Sequence, residues 1–314
     1  MGAEGSIATV AAMATSLPRV RAFAISAGAF RGIALANALM LLVIVSSGAT
    51  VRLTASGLGC PKWPGCEGAA KLPARDHYQQ IEFSNRIVSG LTILLTLATW
   101  LAALWTPGVA TWAKRLALAT FLGALAQAPL GAITVYFDLN PWLVLSHFLL
   151  SIALLAMGVV VALEAWNVRG DALPLHLRQL GLLVAAACAA LVVTGTFATA
   201  AGRFPGSFDD KPIQRLGEFY PAMWLHVRAT AVFGISFAIL VGWLAYRRST
   251  TALLALPVLV VLGTQMAVGE IQYRIEMLWW IVLIHVTLAA LLWAATVVLV
   301  ALVWRPRDHS RMAR

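Results

Sequence analysis

The sequence predicts an all-α membrane protein of eight transmembrane helices, arranged as two pseudo-twofold-related four-helix bundles. Three observations predict it: an apolar composition, eight apolar runs of spanning length, and an internal repeat. Of 314 residues, 61% are hydrophobic and only 11% charged, whereas a water-soluble domain carries roughly 45–50% apolar and about 25% charged residues. The formal charge of +10 does not indicate nucleic acid. The basic residues sit in short segments between apolar runs, where positive charge sets topology, and they form no continuous basic face.

Taken in chain order, the runs lie near 33–53, 87–106, 116–135, 141–165, 180–200, 221–245, 251–272 and 278–304. Each reaches the roughly 20 residues that a helix needs to cross the hydrocarbon. Residues 1–30 read as a flexible cytoplasmic tail, 31–167 as an N-terminal four-helix half, 168–178 as a cytoplasmic linker, 179–305 as a C-terminal half and 306–314 as a second tail. Eight spans place both termini on one side. That side holds 13 basic and four acidic residues, and the other nine of each, with Arg228 inside a span. The positive side is expected to be cytoplasmic. Two long loops, near 54–80 and 201–219, then face outward, and long loops in compact proteins tend to carry function.

The repeat aligns QAPLGAITVYFDLNPWLVLSH (127–147) with QMAVGEIQYRIEMLWWIVLIH (265–285) at a gap-free offset of 138. Gln127/Gln265, Gly131/Gly269, Trp142/Trp280 and His147/His285 coincide, among others. An even number of spans separates the copies, so they run the same way, about an axis along the membrane normal. More weakly, SSGATVRLTASG (46–57) matches VTGTFATAAG (193–202). Aligning IEFSNR (81–86) with MWLHVR (223–228) then sets Asn85 opposite His226.

Imidazole inside a span costs free energy and faces a bundle interior or cavity. His147, His226 and His285 each lie six or seven residues from the outer end of a span, which at 1.5 Å per residue is about 10 Å deep. A buried histidine by itself is more often a packing residue or proton-relay member than a ligand. Two at matched depth on facing helices are what bis-histidine haem ligation needs. Zinc would want four close N, S or O ligands, and no cysteine lies at that depth. In the N-terminal half Asn85 replaces one imidazole, so that half offers one axial histidine and an open position. Glu82 shares a helix face with Asn85 and precedes Arg86 by four, an order that favours an ion pair. Its alternatives are a surface salt bridge at a helix start and a carboxylate at the mouth of a site, able to move protons. Cys60 and Cys66 flank PKWPG in the first outer loop. They can close a disulfide in an oxidising compartment, either as a brace or as an electron-relaying couple. Arg52, near the outer face, can pair with a carboxylate such as a haem propionate.

GATVRLTASGLGCPKWPGC (48–66), IEFSNR (81–86), LNPWLVLSH (139–147) and LIH (283–285) together resemble the haem A synthases over nearly the whole chain after residue 30. The resemblance implies an enzyme of the bacterial cell (inner) membrane that oxidises the C8 methyl group of haem O to a formyl group, by successive hydroxylations using molecular oxygen. It implies a resident haem B on His226 and His285, substrate haem on His147, a catalytic Glu82, and Asn85, Arg86 and Arg52 as substrate-binding residues. It also implies haem O synthase and an electron donor as partners, and allows a homo-oligomer. Many members read E-x-x-H-R where this chain has Glu82-Phe83-Ser84-Asn85-Arg86. Two other classes compete: a non-catalytic haem B membrane cytochrome exchanging electrons with quinone, and a small-molecule transporter. Against the transporter stands the lack of helix-breaking Gly/Pro pairs at mid-membrane.

Overall fold

The computed structural model describes residues 24–60, 62, 65, 66, 73, 76–207 and 213–305. Among them are eight helices long and apolar enough to cross a membrane: α1 (Ala27–Leu53), α2 (His77–Trp105), α3 (Thr111–Tyr136), α4 (Pro141–Ala165), α5 (Leu175–Ala201), α6 (Phe219–Tyr246), α7 (Ala255–Arg274, entered through a 3₁₀ turn Thr250–Leu254) and α8 (Trp279–Trp304). Their outward faces carry large exposed apolar side chains such as Leu94, Ile235 and Leu256. That exterior suits lipid, where only a helix that satisfies its own backbone can stand. The chain is a multi-pass membrane protein.

Local chemistry sets the helix ends. Ser26 accepts from the Ala29 N–H at the start of α1, Asp76 from Gln79 at the start of α2, and Asn140 from Trp142 ahead of Pro141 in α4. Each satisfies a donor that the first turn leaves orphaned. Several boundaries differ from the sequence reading, three of them most. Helix α1 starts at Ala27, inside the expected tail, and α5 at Leu175, inside the expected linker. Helix α2 starts at His77, ten residues before its apolar run, because HYQQIEFSNR is helical but too polar for a hydropathy pattern. Residues 1–23 and 306–314, expected as tails, lie outside the described residues.

The N-terminal helices pack as α1 against α2 and α4, with α3 between α2 and α4; the C-terminal ones pair α5 with α6 and α8, and α7 with α8. One core gathers Val184, Cys188, Phe233, Phe237, Leu240, Val258 and Leu299 from α5–α8. Another joins Leu41, Ala124 and Leu155 to Val192 and Ala290, so α5 and α8 pack into the first half. Polar contacts also cross: Ser46 and Thr287 hydroxyls lie 3.0 Å apart, and Trp293 Nε1 donates to the Ile152 carbonyl at 2.9 Å.

The turns within the repeat share a backbone. Asp138–Leu139 and Glu276–Met277 are all left-handed, with φ of 46°, 58°, 57° and 54°. Leu139 N–H donates to Thr134, and Met277 N–H to Gln272, at the same offset of 138. A left-handed residue other than glycine costs about 1–2 kcal/mol. Leu139 is held there by burial at 7% exposure, packed toward Gly57 and Gly206.

Candidate functional site

Every candidate site residue lies toward the end of the bundle that carries loops 54–76 and 202–218. His147 is six residues inside α4, His285 six inside α8, His226 seven inside α6 and Asn85 eight inside α2. At 1.5 Å per residue these depths are about 9–12 Å.

His226 and His285 face each other, their ring centres 6.4 Å apart and their planes at 74°. Two metal–imidazole bonds of about 2.0 Å, with each nitrogen about 1.1 Å from its ring centre, would set coaxial rings about 6.2 Å apart. The separation fits one ion between them. Protonation fits as well: His226 Nδ1 lies 3.1 Å from the Leu191 carbonyl. A carbonyl only accepts, so Nδ1 carries the proton and Nε2 keeps its lone pair. Each imidazole also rests on a glycine of the neighbouring helix. A Cβ at Gly195 would come within 2.8 Å of His226 Cε1, at Gly269 within 3.1 Å of His285 Cε1, and at Gly131 within 3.4 Å of His147 Cε1. The sequence flagged Gly131 and Gly269 as repeat identities without a role, and it missed Gly195.

His147 opens into a cleft of about 390 Å³ between α1, α2, α3 and α4. Its wall includes Glu82, Asn85, Arg86, Ser89, Gln127 and Arg52, with Pro205 and Gly206 closing it from the other half. Gln127 Nε2 donates to the His147 carbonyl at 2.9 Å and to Ser151 Oγ at 2.7 Å, which fixes α4 against α3 at the histidine. Ser47 Oγ donates to Asn85 Oδ1 at 2.8 Å.

Glu82 is only 4% exposed, and it caps nothing, since α2 starts five residues earlier at His77. Its Oε2 accepts from the Cys60 N–H at 2.7 Å and its Oε1 from Arg86 Nη2 at 2.5 Å. Arg86 further donates to the carbonyls of Lys62, Gly65 and Cys60. Cys60 and Cys66 are joined in a disulfide. The first loop is thereby clamped onto the cleft's acidic corner. Arg52 turns the other way, donating to the Phe204 and Thr199 carbonyls at 3.0 and 2.8 Å.

A model of the cytochrome oxidase assembly protein family COX15-CtaA matches residues 31–297. The chain belongs to that family. Similar members are proteins named Heme A synthase from Shewanella oneidensis, Bacillus licheniformis and Symbiobacterium thermophilum. The first is 34% identical over 140 residues, 39% of this chain and 42% of that protein. The second is 33% identical over 139 residues, 43% and 45%. The third is 34% identical over 134 residues, 42% and 44%. The matched stretch thus spans less than half the length of these curated relatives.

Proposed function

We propose that this family member is a haem A synthase, oxidising the C8 methyl group of haem O to the formyl group of haem A. The observation that carries the reading is the contrast between the halves. One pairs His226 with His285 at a separation that suits an ion, and the other sets His147 alone in a cleft. Among the described residues no three His, Cys, Asp or Glu side chains gather as a metal site. An iron held here would take its remaining ligands from a porphyrin. The curated relatives' name points the same way.

In this reading haem B is resident on His226 and His285, and haem O binds in the cleft with its iron on His147. Bis-histidine haem supplies one-electron transfer. Each hydroxylation takes one atom from molecular oxygen, releases the other as water, and consumes two electrons and two protons from a donor outside the chain. The residues of the cleft bind, orient and deliver. Gln127 and Ser151 fix the carbonyl of His147. Glu82 Oε1 and Oε2 stand at the cleft's acidic corner, able to hold or pass a proton. Arg86 sets that carboxylate's direction, and Arg52 forms part of the wall toward the substrate's carboxylates. In this reading α1–α4, from Ala27 to Ala165, form the N-terminal substrate half and α5–α8, from Leu175 to Trp304, the C-terminal haem B half, related by a pseudo-twofold axis. The enzyme lies in the bacterial cell membrane with both termini cytoplasmic and the cleft near the outer face. There it would meet haem O synthase and a second copy of itself.

Co-expression with a source of haem O, followed by pigment extraction, tests this. Haem A is the expected product. Its absence, with haem B still bound, overturns the enzyme reading. His226→Ala and His285→Ala should each remove the low-spin haem, and its retention overturns the ligand assignment.

A further inference from the structure

The two halves make the same polar contact with different side chains. In the C-terminal half, Thr194 Oγ1 on α5 lies 3.4 Å from His226 Nδ1. In the N-terminal half, Ser47 on α1 meets Asn85. Each hydroxyl residue is followed by a glycine, Gly195 or Gly48, and what faces these glycines differs. A Cβ on Gly195 would strike the His226 ring, whereas one on Gly48 would meet nothing within 4 Å. Asn85 therefore stands where the imidazole stands in the other half. It is shorter, and it leaves open the volume beside Gly48 that belongs to the cleft.

The tether decides which end of the amide faces that volume. Ser47 donates to Oδ1, the amide atom able to ligate a metal. Nδ2 is left toward the cleft, with two N–H donors and no lone pair to offer. Glu82, another polar group of the cleft wall, is already engaged by Cys60 and Arg86. A donor on the face opposite an axial histidine governs how a small molecule is held at haem iron.

We propose that Asn85, oriented by Ser47, is not an iron ligand but the hydrogen-bond donor to the diatomic molecule that enters the haem face opposite His147. This rests on the placement of haem on His147 made above.

The test uses the full chain purified with its haems, reduced and exposed to carbon monoxide, with the C–O stretch read by infrared spectroscopy. A donor N–H draws electron density onto the bound molecule and lowers the stretch. Asn85→Leu and the isosteric Asn85→Asp, which removes the N–H donors, should both move the band to higher wavenumber. Ser47→Ala should broaden it as the amide loses its fixed direction. The low-spin spectrum of the resident haem should stay unchanged in all three, which reports intact folding. Asn85→His, whose ring fits the space beside Gly48, should abolish carbon monoxide binding and add a second low-spin haem. An unshifted band in Asn85→Asp, or carbon monoxide still bound in Asn85→His, overturns the proposal. If the unaltered protein carries haem yet binds no carbon monoxide, the reading of His147 as a singly ligated haem site falls instead.

Discussion

Gly195→Ala should expel the haem of the C-terminal half. The added Cβ would lie 2.8 Å from His226 Cε1, against an ordinary carbon–carbon contact of about 3.5 Å. The ring must retreat from α5 by about 0.7 Å. Leu191, which accepts from His226 Nδ1 at 3.1 Å, is on that same helix. The retreat stretches this bond beyond hydrogen-bonding range and forfeits about 1 kcal/mol. It also drives Nε2 toward His285, into a gap matched to two short metal bonds. One lost hydrogen bond alone is worth about fivefold in haem affinity. Gly269→Ala, at 3.1 Å from His285, should cost less, and Gly131→Ala, at 3.4 Å from His147, least. Gly234→Ala, on α6 and away from the cleft, is the control: nothing lies within 4 Å, and helix propensity should gain roughly 0.5–1 kcal/mol. The assay is haem per protein by pyridine haemochrome, with the reduced-minus-oxidised spectrum. Full low-spin haem in Gly195→Ala, or equal loss in Gly234→Ala, would refute the cradle.

Glu82→Gln should cut haem A formation at least tenfold while the C-terminal haem stays; unchanged turnover would reduce the carboxylate to an anchor for the first loop. Cys66→Ser opens a loop with a sequence separation of six, which costs about 2 kcal/mol by chain entropy and should appear as a lowered Tm, with the Glu82 corner loosened. Glu164 pairs with Arg169 at 3.1 Å and with Arg305 at the opposite end of the bundle. Glu164→Gln leaves two arginines without their carboxylate and should cost on the order of 3 kcal/mol, read as a fall in Tm larger than that of Cys66→Ser. Asp171, between α4 and α5, is held below its ordinary value chiefly by the Ser249 hydroxyl; burial opposes this, and Thr250 and the Thr251 N–H add to the lowering. Its contribution is present above the unfolded value of about 3.8 and fades as pH falls through the lower folded value. Asp171→Asn should flatten the acid limb of a stability–pH curve, and an unchanged limb would dismiss it.

The eight spans were legible because lipid leaves the sequence little freedom: a segment that crosses must be apolar for about 20 residues. His147 and His285 were legible through a repeat free of gaps. The start of α2 was hidden, since its first turns are polar and helical at once, and hydropathy reports only the apolar part. With that start hidden, the sequence leaves Glu82 between a surface salt bridge at a helix start and a carboxylate at the mouth of a site, and its burial under a loop is not legible. Gly195 was hidden for another reason. The first long loop has 23 residues between Leu53 and His77 and the second 17 between Ala201 and Phe219, so no single offset aligns both flanking helices. The correspondence of Ser47 with Thr194, and of Gly48 with Gly195, emerges only from contacts in space.

The halves are alike in frame but not separable in work. The cleft that holds His147 is built on α1–α4, yet Pro205 and Gly206 of the second loop close it. They are kept there by three hydrogen bonds from two residues of the first half. Arg52 donates to Thr199 and Phe204, and the Gly57 N–H donates to the Gly206 carbonyl at 2.8 Å. A Cβ on Gly57 would lie 2.8 Å from that carbonyl oxygen, so a side chain here would part the loops. Gly57→Val should therefore open the cleft from a distance, lowering retention of haem O but leaving His226 and His285 in place. Loss of both haems together would show that the loop contact supports the whole bundle rather than the cleft.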